Sequence, residues 1–284
     1  MTGSSVAPSG VATQQMRVLG QRVRYTVRSG TGPSARKRQL VLCNGIGASL
    51  EVLTPFVDAL PSSIEVVRFD VPGVGGSPLP NVPYSFAGMA MVMRRMLDRL
   101  GYQKVDVLGL SWGGALAQQF AFQHPLRCRR LVLVGTATGC LMVPASPMVL
   151  QKMLTPRRYR DKEYAQEVAA HLYGGKVRQD PTRVRDILHL QNVVGSRRGY
   201  ALQLAAGWGW SSLPALPLIR QPTLIVAGKD DPIVPLVNAR IMNTLLPHSE
   251  LHVHPDGHLG LLTSAAELAP TIARFLDRPG GHRS

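Results

Sequence analysis

Ser111 stands in the middle of Gly109-Leu110-Ser111-Trp112-Gly113. The apolar run before it, Val105, Val107 and Leu108, reads as a buried strand. Ala115, Leu116, Ala117 and Phe120 after it read as a helix. A serine in a tight strand-to-helix turn projects its hydroxyl away from the backbone. Side chains two positions before and after would collide with neighbouring backbone, and glycine avoids this by having no Cβ. The N-terminal N–H groups of the following helix converge on the same spot, so the Trp112 N–H can stabilise an oxyanion. The chemistry is nucleophilic attack on a carbonyl. A chain with 28 glycines meets this pattern by chance as well, but strand, helix and the extra Gly114 favour the nucleophile over a glycine-rich turn.

A serine hydroxyl needs a base, and the base an orienting acid. Of eight histidines, His258 alone combines a loop after a strand, a preceding glycine and a following helix, in Pro255-Asp256-Gly257-His258. His248, His252 and His254 precede that loop, and His124, His171, His189 and His282 have no partner motif. Asp230 and Asp231 both lie just past a strand, in Gly228-Lys229-Asp230-Asp231, where open α/β sheets keep their active residues. The turn after Gly135 carries no carboxylate. Cys43 reads as a small buried residue rather than a second nucleophile.

Positioning these groups requires alternating strands and helices. A hairpin is expected from Met16 to Val27 around Gly20, then strands at 39–43, 64–69, 105–110, 130–135, 223–228 and 250–254. Helices are expected at 49–60, 85–100, 235–246 and 264–277; Ser85 caps the second and Gly101 ends it. Met89, Met93 and Met96 fall at helical spacing and read as core. Asp70, in Asp70-Val71-Pro72-Gly73-Val74-Gly75-Gly76-Ser77, reads as a tie to backbone amides; the spacing is not that of a dinucleotide loop. From 136 to 213 the strand rhythm stops, with helical stretches at 147–154, 162–172, 181–191 and 200–206. The organisation expected is an α/β core over 16–135 and 214–278, a helical cap insertion over 136–213, a flexible tail over 1–15 and a loose one over 279–284.

The 284 residues suffice for one large α/β domain with an insertion, and 45% hydrophobic content supports a large core. No apolar run reaches bilayer length, and the first residues lack a secretory pattern. Cys43, Cys128 and Cys140 form neither a disulfide framework nor a metal pattern, as expected of reduced thiols in the cytoplasm. The net charge of +15 gathers in groups at 36–38, 127–130, 157–160 and 197–198. It is either a solvated basic surface or an attraction to an acidic one. No nucleic-acid-binding signature accompanies it.

Together, LGLSWGG, NGIG, DVPGVGGS, GKDDPIVP and DGHLGLL resemble the α/β-hydrolase fold over Met16 to about Asp277. NGIGASLE, FDVPGVGGS, LSWGGALAQQFAFQHP, TPRRY, HLYGG and GWGW resemble intracellular medium-chain-length polyhydroxyalkanoate depolymerases. The resemblance implies a mostly parallel sheet with helices on both faces. It implies the chain order nucleophile, acid, histidine, with the acid three residues after the strand-end glycine; Ser111, Asp231 and His258 match. It places a second oxyanion donor at the Ile46 N–H, beside that of Trp112, although this chain has Asn44-Gly45 where many such hydrolases have His-Gly. The implied activity is hydrolysis of stored bacterial polyester granules in the cytoplasm to 3-hydroxyalkanoic acids, without cofactor or metal. Trp208 and Trp210 are then candidates for an apolar approach to the site, or simply cap core. A soluble carboxylesterase or carbon–carbon bond hydrolase of the same fold stays an alternative, as does a non-catalytic granule protein. The oligomeric state is not legible.

Overall fold

Strands whose residues are apolar at most positions, on both faces, cannot face water on either side and must sit in the middle of a layered sheet. In the computed structural model, which describes residues 12–32, 38–154, 162–180, 182 and 196–279, such strands do so. The elements in order are β1 (Gln14–Val18), β2 (Gln21–Arg28), β3 (Arg38–Cys43), α1 (Thr54–Ala59), β4 (Ile64–Phe69), α2 (Phe86–Arg99), β5 (Val105–Leu110) and α3 (Trp112–Gln123). There follow β6 (Cys128–Val134), α4 (Pro147–Leu154), α5 (Lys162–Tyr173), α6 (Gly175–Gln179) and α7 (Arg197–Gly207). The chain closes with β7 (Thr223–Gly228), α8 (Leu236–Leu245), β8 (Ser249–His254), α9 (Gly260–Thr263) and α10 (Ala265–Asp277).

The eight strands form one sheet in the order β1-β2-β4-β3-β5-β6-β7-β8. β1 and β2 are antiparallel and β2 runs against β4; all pairings from β4 through β8 are parallel. β4, β5 and β7 are buried at every residue. Side chains alternate between two apolar layers. Val41, Val107, Leu131 and Leu133 pack with Met89, Met93, Met96, Leu116 and Phe120 of α2 and α3. Leu40, Leu108, Val132 and Leu224 pack with Phe56 of α1 and Ile272 and Phe275 of α10. The expected methionine core in α2 is present, and the Ser85 hydroxyl caps α2 by accepting the Gly88 N–H at 3.1 Å.

Sequence and structure differ at several edges. β1 begins at Gln14, which pairs with Tyr25, inside the tail expected over 1–15, of which residues 1–11 lie outside the described residues. The hairpin turns through two positive φ values, Leu19 at 48° and Gly20 at 79°. The expected 49–60 helix splits into a 3-10 turn, Leu50–Leu53, and α1. Of the expected 279–284 tail only Pro279 is described, and the stretches 33–37 and 155–161 lie outside the described residues. Between β6 and β7 the described chain holds α4 to α7, a 3-10 segment (Leu213–Leu218) and one isolated bridge, Gly139 to Ser211. The Cys140 N–H donates to the Trp210 carbonyl at 2.9 Å and the Ser212 N–H to Thr138 at 3.0 Å, so the two ends of this stretch are pinned together. The helix expected at 181–191 lies outside the described residues apart from Thr182, and α6 was not foreseen.

The arginines at 127–130 are largely taken up by the fold. Arg127 pairs with Asp98 at 2.5 Å, Arg129 with the buried Asp106, and Arg130 donates to the Phe275 carbonyl at 3.2 Å. Among the described residues no helix is long and apolar enough to cross a membrane, and no cluster of potential metal ligands occurs.

Candidate active site

β5, in the middle of the sheet, delivers Ser111 just past its C-terminal end in a strained turn. Ser111 has φ 53° and ψ −118°, one of two positive-φ non-glycine residues among those described. Such backbone costs of order 1–3 kcal/mol and persists only where the surroundings enforce it. Here the neighbours are glycine for steric reasons. A methyl at Gly109 would overlap the Gly113 carbonyl, one at Gly113 would overlap the carbonyls of Cys43 and Asn44, and one at Gly114 would strike Thr136. β3 and α3 therefore close on the turn to backbone contact.

β7 and β8 end beside it. His258 Nε2 lies 3.1 Å from Ser111 Oγ, and His258 Nδ1 lies 2.8 Å from Asp231 Oδ2. Both His258 and Asp231 are buried. The other Asp231 oxygen accepts the N–H groups of Ile233 and Val234, each at 2.9 Å, so the carboxylate is fixed before it meets the imidazole. With an acid on Nδ1, Nε2 is left to take a proton from the serine. Asp230 points elsewhere: it accepts the Gly175 N–H at 2.8 Å and pairs with Arg178 at 3.0 Å. Of the two neighbouring aspartates, left open on spacing alone, it is Asp231 that contacts the imidazole.

The Asn44–Gly47 loop stands across the turn. A Cβ at Gly45 would lie 3.8 Å from Ser111 Cβ. Asn44 holds the loop through Nδ2 on the Ser49 carbonyl at 2.5 Å. Trp112 opens α3 and so has no intrahelical partner for its N–H. Among the described residues no hydrogen bond takes the Ile46 N–H. The arrangement can hold a carbonyl carbon at Ser111 and its oxygen between two backbone donors.

Two carboxylates outside the triad brace the site, and they behave oppositely. Asp70 receives Leu50 N–H at 2.7 Å, Gly76 N–H at 2.8 Å and Arg24 at 3.0 Å, as its expected role of tying amides requires. Burial nonetheless pushes its carboxyl up to about 6, against those donors. Asp256 is also raised by burial, but its donors overcome that and hold it below the ordinary carboxylate range. They are the hydroxyls of Thr263 and Ser264, both at 2.7 Å, the Lys176 N–H at 2.8 Å and the Gly257 N–H at 2.7 Å. Burial alone pushes the Cys43 thiol up, which suits a core residue and not a nucleophile.

Trp208 and Trp210 part company. Trp208 is 91% exposed. Trp210 packs on Phe86 at 4.7 Å between ring centres and donates its indole N–H to Gln119 at 2.8 Å. Gln119 lies eight residues beyond Ser111 along α3, roughly 12 Å at 1.5 Å per residue. Trp210 lines an open pocket of about 300 Å³ with Gln118, Phe122 and Leu218, and none of Ser111, Asp231 and His258 lines it. Among the described residues no hydrogen bond or ring contact joins either tryptophan to Ser111 directly. The structure does bring Tyr173-Gly174-Gly175 to the site, since the His258 N–H donates to the Tyr173 carbonyl at 2.8 Å. The paired glycines inside a helical stretch were the sequence signal for this contact.

Comparison with known proteins agrees with the resemblance read from the motifs. The family described as alpha/beta hydrolase fold matches residues 39–176. A poly(3-hydroxyalkanoate) depolymerase of Ectopseudomonas oleovorans is 48% identical over 259 residues, covering 91% of this chain and 90% of that protein. A 3-oxoadipate enol-lactonase of Acinetobacter baylyi is 24% identical over 229 residues, covering 79% of this chain and 83% of that one. The crystal structure of an enol-lactonase from Burkholderia xenovorans shares the fold, with a TM-score of 0.79 at 21% identity over 93% of this chain and 100% of that one.

Proposed function

The chain belongs to the alpha/beta hydrolase fold family, and from that premise we propose that it is a serine esterase that hydrolyses poly(3-hydroxyalkanoate). The observation that carries this reading is His258 bonded at once to Asp231 and Ser111, at 2.8 and 3.1 Å, in a chain 48% identical to a poly(3-hydroxyalkanoate) depolymerase.

The roles follow from the geometry. Ser111 Oγ attacks the ester carbonyl as His258 Nε2 removes its proton. The carbonyl oxygen becomes an oxyanion held by the Ile46 and Trp112 N–H groups. The tetrahedral intermediate collapses, the C–O bond to the leaving alkoxide breaks, and His258 delivers the proton to that alkoxide. A water deprotonated by His258 then attacks the acyl-enzyme, freeing a 3-hydroxy acid and restoring Ser111. Asp231 holds the tautomer and stabilises the imidazolium. The cycle uses neither cofactor nor metal.

The described residues between β6 and β7 act as a cap beside this site and set which ester enters. The medium-chain-length substrate, the cytoplasmic location and the attachment to storage granules rest on the motif resemblance. Supplying a suspended medium-chain polyester beside soluble p-nitrophenyl esters tests the reading. Release of 3-hydroxy acids from the suspension is expected. Brisk hydrolysis of the soluble esters with an untouched polymer would make the protein a small-ester hydrolase, and no hydrolysis of either would leave a non-catalytic protein.

A further inference from the structure

We propose that Gln203 is a positioning residue for the oxyanion hole, so that the hole is complete only while α7 is docked on the core. The proposal rests on the esterase reading above and names a part of the site that lies in the insertion. Gln203 is 1% exposed, in the middle of α7. Its side-chain oxygen accepts the Gly47 N–H at 2.7 Å, and its backbone carbonyl accepts the Trp112 indole N–H at 2.9 Å. One residue therefore grips both segments that carry the oxyanion donors, from more than ninety positions away in sequence.

The loop needs such a grip. Gly45 and Gly47 leave its backbone soft, and Gly47 sits at φ 71°. Its own ties are the Asn44 side chain and a 3.2 Å bond from Ala48 N–H to the Gly45 carbonyl. The Gly47 N–H that Gln203 fixes belongs to the peptide joined at the Ile46 Cα to the one carrying the donor, so turning the first turns the second. The Tyr200 ring closes over the same place: a Cβ at Gly47 would lie 3.1 Å from it. Elsewhere α7 is tied by the Ser196 hydroxyl to the Gly73 carbonyl at 3.3 Å and by close approach of Gly199 to Gly73. Displacing α7 would free the loop, and docking it would reset the donor. A cap that moves to admit a polymer would in this way also switch transition-state stabilisation.

The test is Gln203→Met, which keeps the length of the side chain and removes the acceptor. On a soluble p-nitrophenyl ester, kcat is expected to fall by about tenfold or more, since a lost oxyanion donor costs about 10²–10³ and a misaligned one less. KM should stay within about twofold. Affinity for a boronic acid that forms a tetrahedral adduct on Ser111 should fall by the same factor as kcat. Ser196→Ala, which removes the cap at the start of α7 and leaves both Gln203 bonds in place, should leave kcat within about twofold. If Gln203→Met does not fold, Gln203→Asn, one methylene too short to reach Gly47, is read the same way. An unchanged kcat, an unchanged boronic acid affinity, or an equal loss in Ser196→Ala overturns the inference. A wild-type protein that hydrolyses no ester overturns the esterase reading, and the inference falls with it.

Discussion

Among the described residues, the stretch between β6 and β7 meets the site at two places, by two kinds of contact. At Tyr173–Gln179 it meets the acid and histidine loops through backbone. The Tyr173 carbonyl takes the His258 N–H, Asp230 takes the Gly175 N–H and Asp256 takes the Lys176 N–H, all at 2.8 Å. Gly174 and Gly175 have positive φ, and a Cβ on either would overlap the Asp230 carbonyl or Asp256. At α7 it meets the Trp112 indole through the Gln203 backbone carbonyl, and it meets the facing loop through the Gln203 side chain with the Tyr200 ring beside it. The first contact has no room for a different side chain. The second is a replaceable hydrogen bond. Damage at the first should therefore cost stability and activity together, and damage at the second turnover alone.

Ser111→Ala gives the largest effect and calibrates both halves. Loss of the nucleophile costs about 10⁶ in kcat in a well-studied serine protease. Ester hydrolysis should fall to that order with the far-UV circular dichroism and melting temperature retained. A serine-directed phosphonate that labels any residue but Ser111 would remove the nucleophile from this site.

Asp231→Asn and Asp230→Asn divide the two neighbouring acids between the triad and the clasp. Asp231→Asn should lower kcat by about 10⁴, because the wrong imidazole tautomer then faces the serine. Asp230→Asn weakens the bonds to Gly175 and Arg178 and should lower turnover less than tenfold while reducing the melting temperature. The reverse ranking would exchange their roles. One step smaller, Gly175→Ala forces a methyl onto Asp256 Oδ1 and the Gly257 N–H. A loss of about 1–3 kcal/mol in stability is expected, with kcat falling in parallel as the loop before His258 shifts. Urea unfolding read beside ester kinetics checks both. A stable Gly175→Ala variant of full activity would mean the clasp does not set the histidine.

What the sequence made legible follows from local constraint. The turn around Ser111 needs glycine at 109 and 113 whatever lies elsewhere, so five residues identify it. The buried strands are apolar at most positions, and their alternation into two layers is a property of the strand itself. His258 was found by its loop. Asp231 needed the family resemblance, because spacing alone leaves Asp230 equal to it; only the fold shows Asp230 turned to Gly175. Asp256 and Gln203 gave no local signal, since each acts on backbone groups distant in sequence. The two tryptophans illustrate the same limit. Both are apolar rings in one short segment, yet Trp210 turns onto Phe86 and Gln119 while Trp208 turns outward.

That divergence yields the smallest and most selective prediction. Trp208, just past the end of α7, and Leu204, in its last turn, are 91% and 49% exposed. Arg197 and Arg198 are exposed at the other end of the same helix. An exposed ring gives nothing to the folded state, so Trp208→Ala should leave the melting temperature unchanged and soluble-ester turnover within about twofold. On a suspended polyester the ring can leave water at the polymer surface, and removing that apolar area should lower the rate severalfold. Trp210→Ala is the contrast. It strips packing from Phe86 and leaves the Gln119 side-chain oxygen without its indole donor, at a cost of about 2–4 kcal/mol, and should slow both substrates alike through loss of folded protein. Equal losses on both substrates in Trp208→Ala would place that ring inside the site instead of on its outer face. Selective loss on the polymer in Trp210→Ala, at unchanged stability, would reverse the assignment of the two rings.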